Sequence, residues 1–221
     1  MSRSIALFLL LLILPAATAW GGQPLNTIVL KGGAYNGTQD YDFGGEQLFD
    51  PSACWTATGG LGFEWKFGRH SNFRLLTEFM YVSKNIEEEV PELDELGQPT
   101  GNILKVQGGF DYLSIPVMAK LQTADQPSSL YFLVGLSGDL ILQRDVTLTI
   151  FEDFKDFVVS AQVGVGIENA FSRYWGWLLE FSYIQNIYSA YGGDDLGEEI
   201  RLNSVRQRGI TILAGLRFLL G

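Results

Sequence analysis

The segment FVVSAQVGVGIEN, residues 157–169, consists of two interleaved series. Phe157, Val159, Ala161, Val163, Val165 and Ile167 make one; Val158, Ser160, Gln162, Gly164, Gly166 and Glu168 make the other. A period of two predicts a β-strand, because successive side chains leave a pleated backbone on opposite faces. The alternation recurs in WTATGGLGFEWKF (55–67), FRLLTEFMY (73–81), YLSIPVMAKLQ (112–122), LYFLVGLSGDLIL (130–142), WGWLLEFSYIQN (175–186) and GITILAGLRFLL (209–220). It is weaker in TIVLKGGAY (27–35), where Lys31 takes the polar series. The pattern predicts about eight strands of roughly 9–14 residues, against a mode near 5–6 in ordinary globular proteins. Strands of that length suit a membrane crossing.

The connections sort by length. Short turns at 68–72, 123–129 and 170–173 alternate with long polar connections at 36–53, 84–107, 144–155 and 189–206. An even-stranded outer-membrane barrel with short periplasmic turns and long extracellular loops produces that order. Side-chain volume then decides which face points out. Trp55, Leu61, Phe63, Trp65, Phe79, Phe157, Trp175, Trp177, Phe181 and Phe218 would overfill a barrel that eight strands leave just wide enough for side chains. The predicted fold is therefore all-β: an eight-stranded antiparallel up-and-down transmembrane β-barrel with its apolar series toward lipid. Trp65, Phe67, Phe73, Trp175, Trp177 and Phe218 near the turns, and Trp55, Phe79, Tyr81 and Tyr183 toward the loops, are the candidate aromatic girdles where the apolar band meets two interfaces. The competing reading is a secreted soluble barrel with the apolar series inside.

The chain opens with Arg3, an unbroken apolar run from Ile5 to Leu14 and then Ala17-Thr18-Ala19. This predicts a secretory signal peptide over residues 1–19 and a single domain over 20–221. The apolar run is shorter than the ~20 residues of a spanning helix. The net charge of -10 makes nucleic acid a poor partner. The single cysteine, Cys54, reads as a passive strand-end residue.

The polar series collects Glu64, Glu78, Asp139, Glu168 and Glu180 with Lys66, Arg74, Lys120 and Arg217. Charges in a low-dielectric interior persist only when paired or hydrated, so these nine form a candidate lumen charge network that plugs the barrel. A simple hairpin register places Glu78 across from Gly62, and one register of the 170–173 hairpin places Glu180 across from Gly164. Catalysis finds little support. Serine or aspartate mechanisms need a histidine base, and His70, the only histidine, falls in a short turn. One histidine and one cysteine cannot supply a zinc set. The acidic run EEEVPELDELG (87–97) lacks the spacing of a calcium loop and reads as solvated. No catalytic residue, metal or cofactor is expected.

FDYLSIPVMAKLQ (110–122) followed by YFLVGLSGDLIL (131–142) resembles the central hairpin of small outer-membrane barrels of the PorT-like or porin family group, in which a YLxIPxxxK strand leads into a GxSxxxL strand. The resemblance extends through VGVGIEN, LLEFSYIQNI and GITILAGLRFLL. It implies an eight-stranded outer-membrane barrel, and for some relatives an accessory part in protein secretion. The expected setting is the outer membrane of a Gram-negative bacterium. Its lipid and the barrel-assembly machinery are expected partners there, with envelope or secretion proteins as candidates. The expected role is structural or interactive rather than enzymatic. A secretion accessory and, further off, a lipid- or peptide-modifying enzyme are the alternatives.

Overall fold

A computed structural model describes residues 25–42, 52–66, 72–93, 98–124, 127–144, 155–188 and 204–220. These form eight strands: β1 (Leu25–Asp42), β2 (Ser52–Lys66), β3 (Phe73–Leu93), β4 (Pro99–Gln122), β5 (Ser128–Arg144), β6 (Phe157–Ala170), β7 (Trp175–Asn186) and β8 (Ser204–Leu219). Each pairs antiparallel with the next, and β8 closes onto β1. The predicted signal peptide, Phe67 and His70 lie outside the described residues.

Several strands run further than their alternation. β3 has 21 residues and β4 has 24. Much of the connection expected over 84–107 is instead a paired hairpin, from Lys84↔Phe110 to Leu93↔Pro99. On β3 the pairing to β2 stops at Glu87, so the hairpin continues past the wall as a two-stranded ribbon among the described residues. Gly101 sits near its tip at φ 86°, a left-handed conformation that glycine adopts without a Cβ penalty.

The stagger of the barrel follows from its register. A line of paired residues starts at Ile28 and passes through Phe63, Thr77, Val117, Leu136, Ala161, Gln185 and Arg208. It returns to β1 at Thr38, ten residues on. Ten residues, roughly 33 Å, over eight strand spacings, roughly 38 Å, tilt the strands about 40° from the barrel axis. The backbone radius is then about 8 Å, room for side chains and little else.

The two faces carry opposite chemistry. Leu30, Leu61, Phe79, Leu130, Phe132, Val134, Val163, Val165, Leu179, Phe181 and Leu216 point out and are exposed, Phe132 to 56%. Among the described set 25 polar or charged residues are buried, all but Thr77 and Ser83 of them on the inner face. Two apolar clusters separate the charges inside: Tyr35, Met80, Val82 and Leu213 toward the loop end, and Leu76, Met118, Tyr131 and Leu133 toward the turn end. A soluble barrel would show the reverse arrangement.

Candidate functional site

The lumen charges arrange themselves in three tiers along the axis. Inward parity on every strand brings them there, because each acid or base alternates with an outward apolar residue. In the tier nearest the turns, Lys120 Nζ lies 2.5 Å from both Glu64 Oε1 and Glu168 Oε2. Arg217 spans the same two acids, with its guanidinium 3.2 Å from each. Arg74 Nη1 adds a third contact to Glu64 at 3.0 Å. Gln122 donates to Glu168, and the Lys120 ammonium sits 4.3 Å above the Tyr131 ring.

The middle tier is a clamp of three residues. Lys31 Nζ lies 2.5 Å from Glu78 Oε1 and 2.7 Å from Glu180 Oε2, all three side chains buried. The Tyr131 hydroxyl donates to Glu180 at 3.1 Å and the Ser182 hydroxyl at 3.3 Å. Nearer the loops, Asp139 accepts from Lys84 at 2.6 Å and from Ser114, Ser137 and Ser160 at 2.6, 2.7 and 2.8 Å. Lys84 also lies over the Tyr112 ring at 4.6 Å. The buried charges number five acids and five bases among the described residues, so the lumen is electrically balanced. Gln162 Oε1, Asn186 Nδ2 and Thr211 Oγ1 are buried without a direct partner, and all lie from the clamp toward the loops. Water entering from the loop end would satisfy them.

Eight of the nine candidate network residues therefore meet in the first two tiers or in the Asp139 cage. Lys66 is half-exposed at the end of β2, across from Arg74. Two bases that the sequence reading left out of the network hold central positions. Lys31, recognised only as inward-facing, bridges Glu78 and Glu180. Lys84, expected at the start of an external loop, is 3% exposed inside the barrel. Its place on the Glu78 side of the β3 alternation was the available signal; the acidic run after it hid that signal.

The registers also need one correction. Glu78 does pair with Gly62. Glu180, however, pairs with Gly166, and Gly164 with Ser182. The β6–β7 turn is wider than a simple hairpin: Phe171 N and Ser172 N both donate to Trp175 O, and Ser172 Oγ accepts from Trp175 N. The space over Gly166 is taken by the Tyr131 ring, into which a Cβ there would project.

On the outer wall, Phe73, Trp175, Trp177 and Phe218 are exposed at the turn end, with Trp175 and Phe218 stacked edge to face at 5.1 Å. Trp65 joins them, its indole donating to Thr77 at 3.3 Å. Trp55, Tyr81 and Tyr183 ring the loop end. Phe79 lies within the band, edge-on to Phe63 at 6.3 Å. Cys54 is half-buried on β2, its thiol donating to Asn85 O at 3.0 Å. No group of three or more potential metal ligands occurs among the described residues.

Residues 28–192 match the family model described as outer membrane protein beta-barrel domain. No curated protein sequence matches the chain. Similar solved structures include the outer membrane protein OprG from Pseudomonas aeruginosa, at 13% identity and TM-score 0.53, covering 89% of this chain and 97% of that one. The outer membrane protein W of E. coli has 16% identity and TM-score 0.49 over 90% and 100% of the two chains. The outer membrane protease OmpT from Escherichia coli has 10% identity and TM-score 0.43 over 90% and 97%. Likeness at these identities concerns the fold alone.

Proposed function

Since the chain belongs to the outer membrane protein beta-barrel domain family and resides in the outer membrane of a Gram-negative bacterium, we propose that it is a non-enzymatic, plugged barrel that serves the envelope through what it presents outside. The observation that carries this reading is the middle tier. Lys31 reaches across an interior about 8 Å in radius to Glu78 and Glu180, and wide aqueous channels need about twice as many strands. Ions crossing here would have to part a buried ammonium from two carboxylates. The Asp139 cage offers acid and hydroxyl groups together, but all of them are buried and mutually hydrogen-bonded, which leaves none aimed at a substrate.

With the lumen closed, contact with the surroundings falls to the wall and the external connections. Among the described residues the β3–β4 ribbon extends furthest past the wall pairing, and the sequence from its β3 arm into the connection, residues 87–97, carries six carboxylates. A basic segment of an envelope or secretion protein is the partner its charge favours.

Purified protein in a planar bilayer tests the plug. The unmodified chain is expected to show no steady conductance, while Glu78→Gln or Glu180→Gln, which weakens the hold on Lys31, is expected to give openings. Large, stable, ion-selective openings in the unmodified chain would overturn the reading.

A further inference from the structure

Charge disappears from the outer wall across the apolar band and returns unevenly at its loop-side edge. On β8 the outward series runs Phe218, Leu216, Ala214, Ile212, Ile210 and then Arg208 and Arg206. Both arginines are exposed. Asp40 on β1 pairs in register with Arg206 and accepts from Arg208 Nη2 at 3.2 Å. Arg206 stands two residues, about 7 Å, beyond Arg208 along the strand, so two exposed arginine positions border the Asp40 position on the outer face. On β7, Gln185 faces Arg208 and accepts from the Tyr183 hydroxyl at 3.1 Å. Arg208 and Arg206 therefore stand one and two outward positions above the tyrosine belt, at headgroup level. Elsewhere among the described residues of the rim, β4 carries Asp111 at the corresponding level, and Arg144 is matched by Asp156 at 2.6 Å.

The same three strands hold an apolar groove lower on the wall. Leu30 and Gly32 of β1, Trp177 and Leu179 of β7, and Ala214 and Leu216 of β8 line an open concavity of about 700 Å³. Gly32 creates it, since a Cβ there would meet nothing within 4 Å. Arg208 and Ala214 are six residues apart on β8, roughly 20 Å along the strand, a span of the order of one acyl chain.

We propose that this facet seats a phosphorylated lipid of the outer leaflet. Arg206 and Arg208 bridge its phosphate, and one acyl chain runs down Ile210 and Ile212 into the Gly32–Ala214 groove. Arginine forks suit phosphate oxygens. The site concerns the outside of the wall and stands whether or not the lumen conducts.

The test uses full-length protein reconstituted in phosphatidylcholine nanodiscs doped with diphosphoryl lipid A. Lipid retained after release into detergent is counted by native mass spectrometry, and heat-modifiable gel mobility verifies the barrel. The double variant Arg206→Gln, Arg208→Gln is expected to lose retention by roughly fivefold per arginine. Asp40→Asn, which removes the competing carboxylate and keeps both arginines, is expected to raise it by a similar factor. Gly32→Leu, which fills the groove without touching charge, is expected to lower it. Equal retention in all variants overturns the proposal. Displacement by inorganic phosphate as effective as by lipid A also overturns it, making the pair a free-anion site. Should the double variant fail to insert, absence of a gain in Asp40→Asn decides against the seat.

Discussion

Lys31 sets the cost of disturbing the lumen, because among the described residues it alone bridges Glu78 and Glu180, at 2.5 and 2.7 Å. Lys31→Met removes the ammonium and leaves two buried carboxylates facing each other, at a cost of about 3–5 kcal/mol. The expected result is a lower urea midpoint for loss of the heat-modifiable folded band. Adding Glu78→Gln and Glu180→Gln to that variant should restore most of the loss, since neutral amides need no counter-charge. A neutral outcome for Lys31→Met alone would show that water already screens the clamp. The glycines give a contrast of geometry rather than charge. Gly166→Leu pushes into the Tyr131 ring and is expected to cost about 1–3 kcal/mol in the same assay. Gly32→Ala faces open space and is expected to stay within about 0.5 kcal/mol of the unmodified chain.

The β3–β4 hairpin moves a boundary of the element map, and trypsin reads where that boundary lies. Cleavage after Lys84 is expected to be absent in the folded barrel, because its ammonium is held by Asp139 and its backbone pairs with Phe110. A cut there in heat-modifiable, folded protein would contradict the β3–β4 register. The alternation made every strand legible where one face meets lipid and the other a crowded interior, as in β6 and β7. Past the wall that contrast ends. There β3 pairs with β4 alone and residues 100–103 are exposed in unbroken succession, so pairing persists while the sequence loses its period-two hydrophobicity, and EEEVPEL reads as loop. The β6–β7 slip has another cause. A shift of two residues leaves each face's chemistry unchanged, so only the geometry of the turn at Ser172 distinguishes Gly166 from Gly164 as the partner of Glu180. Parity identified the inward acids and Lys31, and extends to Lys84; which acid each base meets was not legible, since the partners come from other strands.

At the scale of the whole molecule, two links of the buried charge network exist only because the cylinder is closed. Lys31 on β1 meets Glu180 on β7, 149 residues later, and Arg217 on β8 meets Glu64 on β2, 153 residues earlier. Each link crosses the β1–β8 seam. In an open, curled sheet Glu180 lacks its cation while Lys31, Glu64 and Arg217 each lose one partner, so a half-formed barrel gains less from burying its interior. Long-range closure of this kind is also slow, because the entropy of bringing distant segments together comes before any contact rewards it. Zipping of the seam and drying of the lumen thus become one event, the commitment step of insertion. Pulse-labelled hydrogen exchange during refolding into lipid is expected to show amides of β1 and β8 gaining protection together with those around Glu78 and Glu64. In Lys31→Met with Arg217→Met, protection of the inner strands should separate in time from closure of the seam, turning one kinetic phase into two.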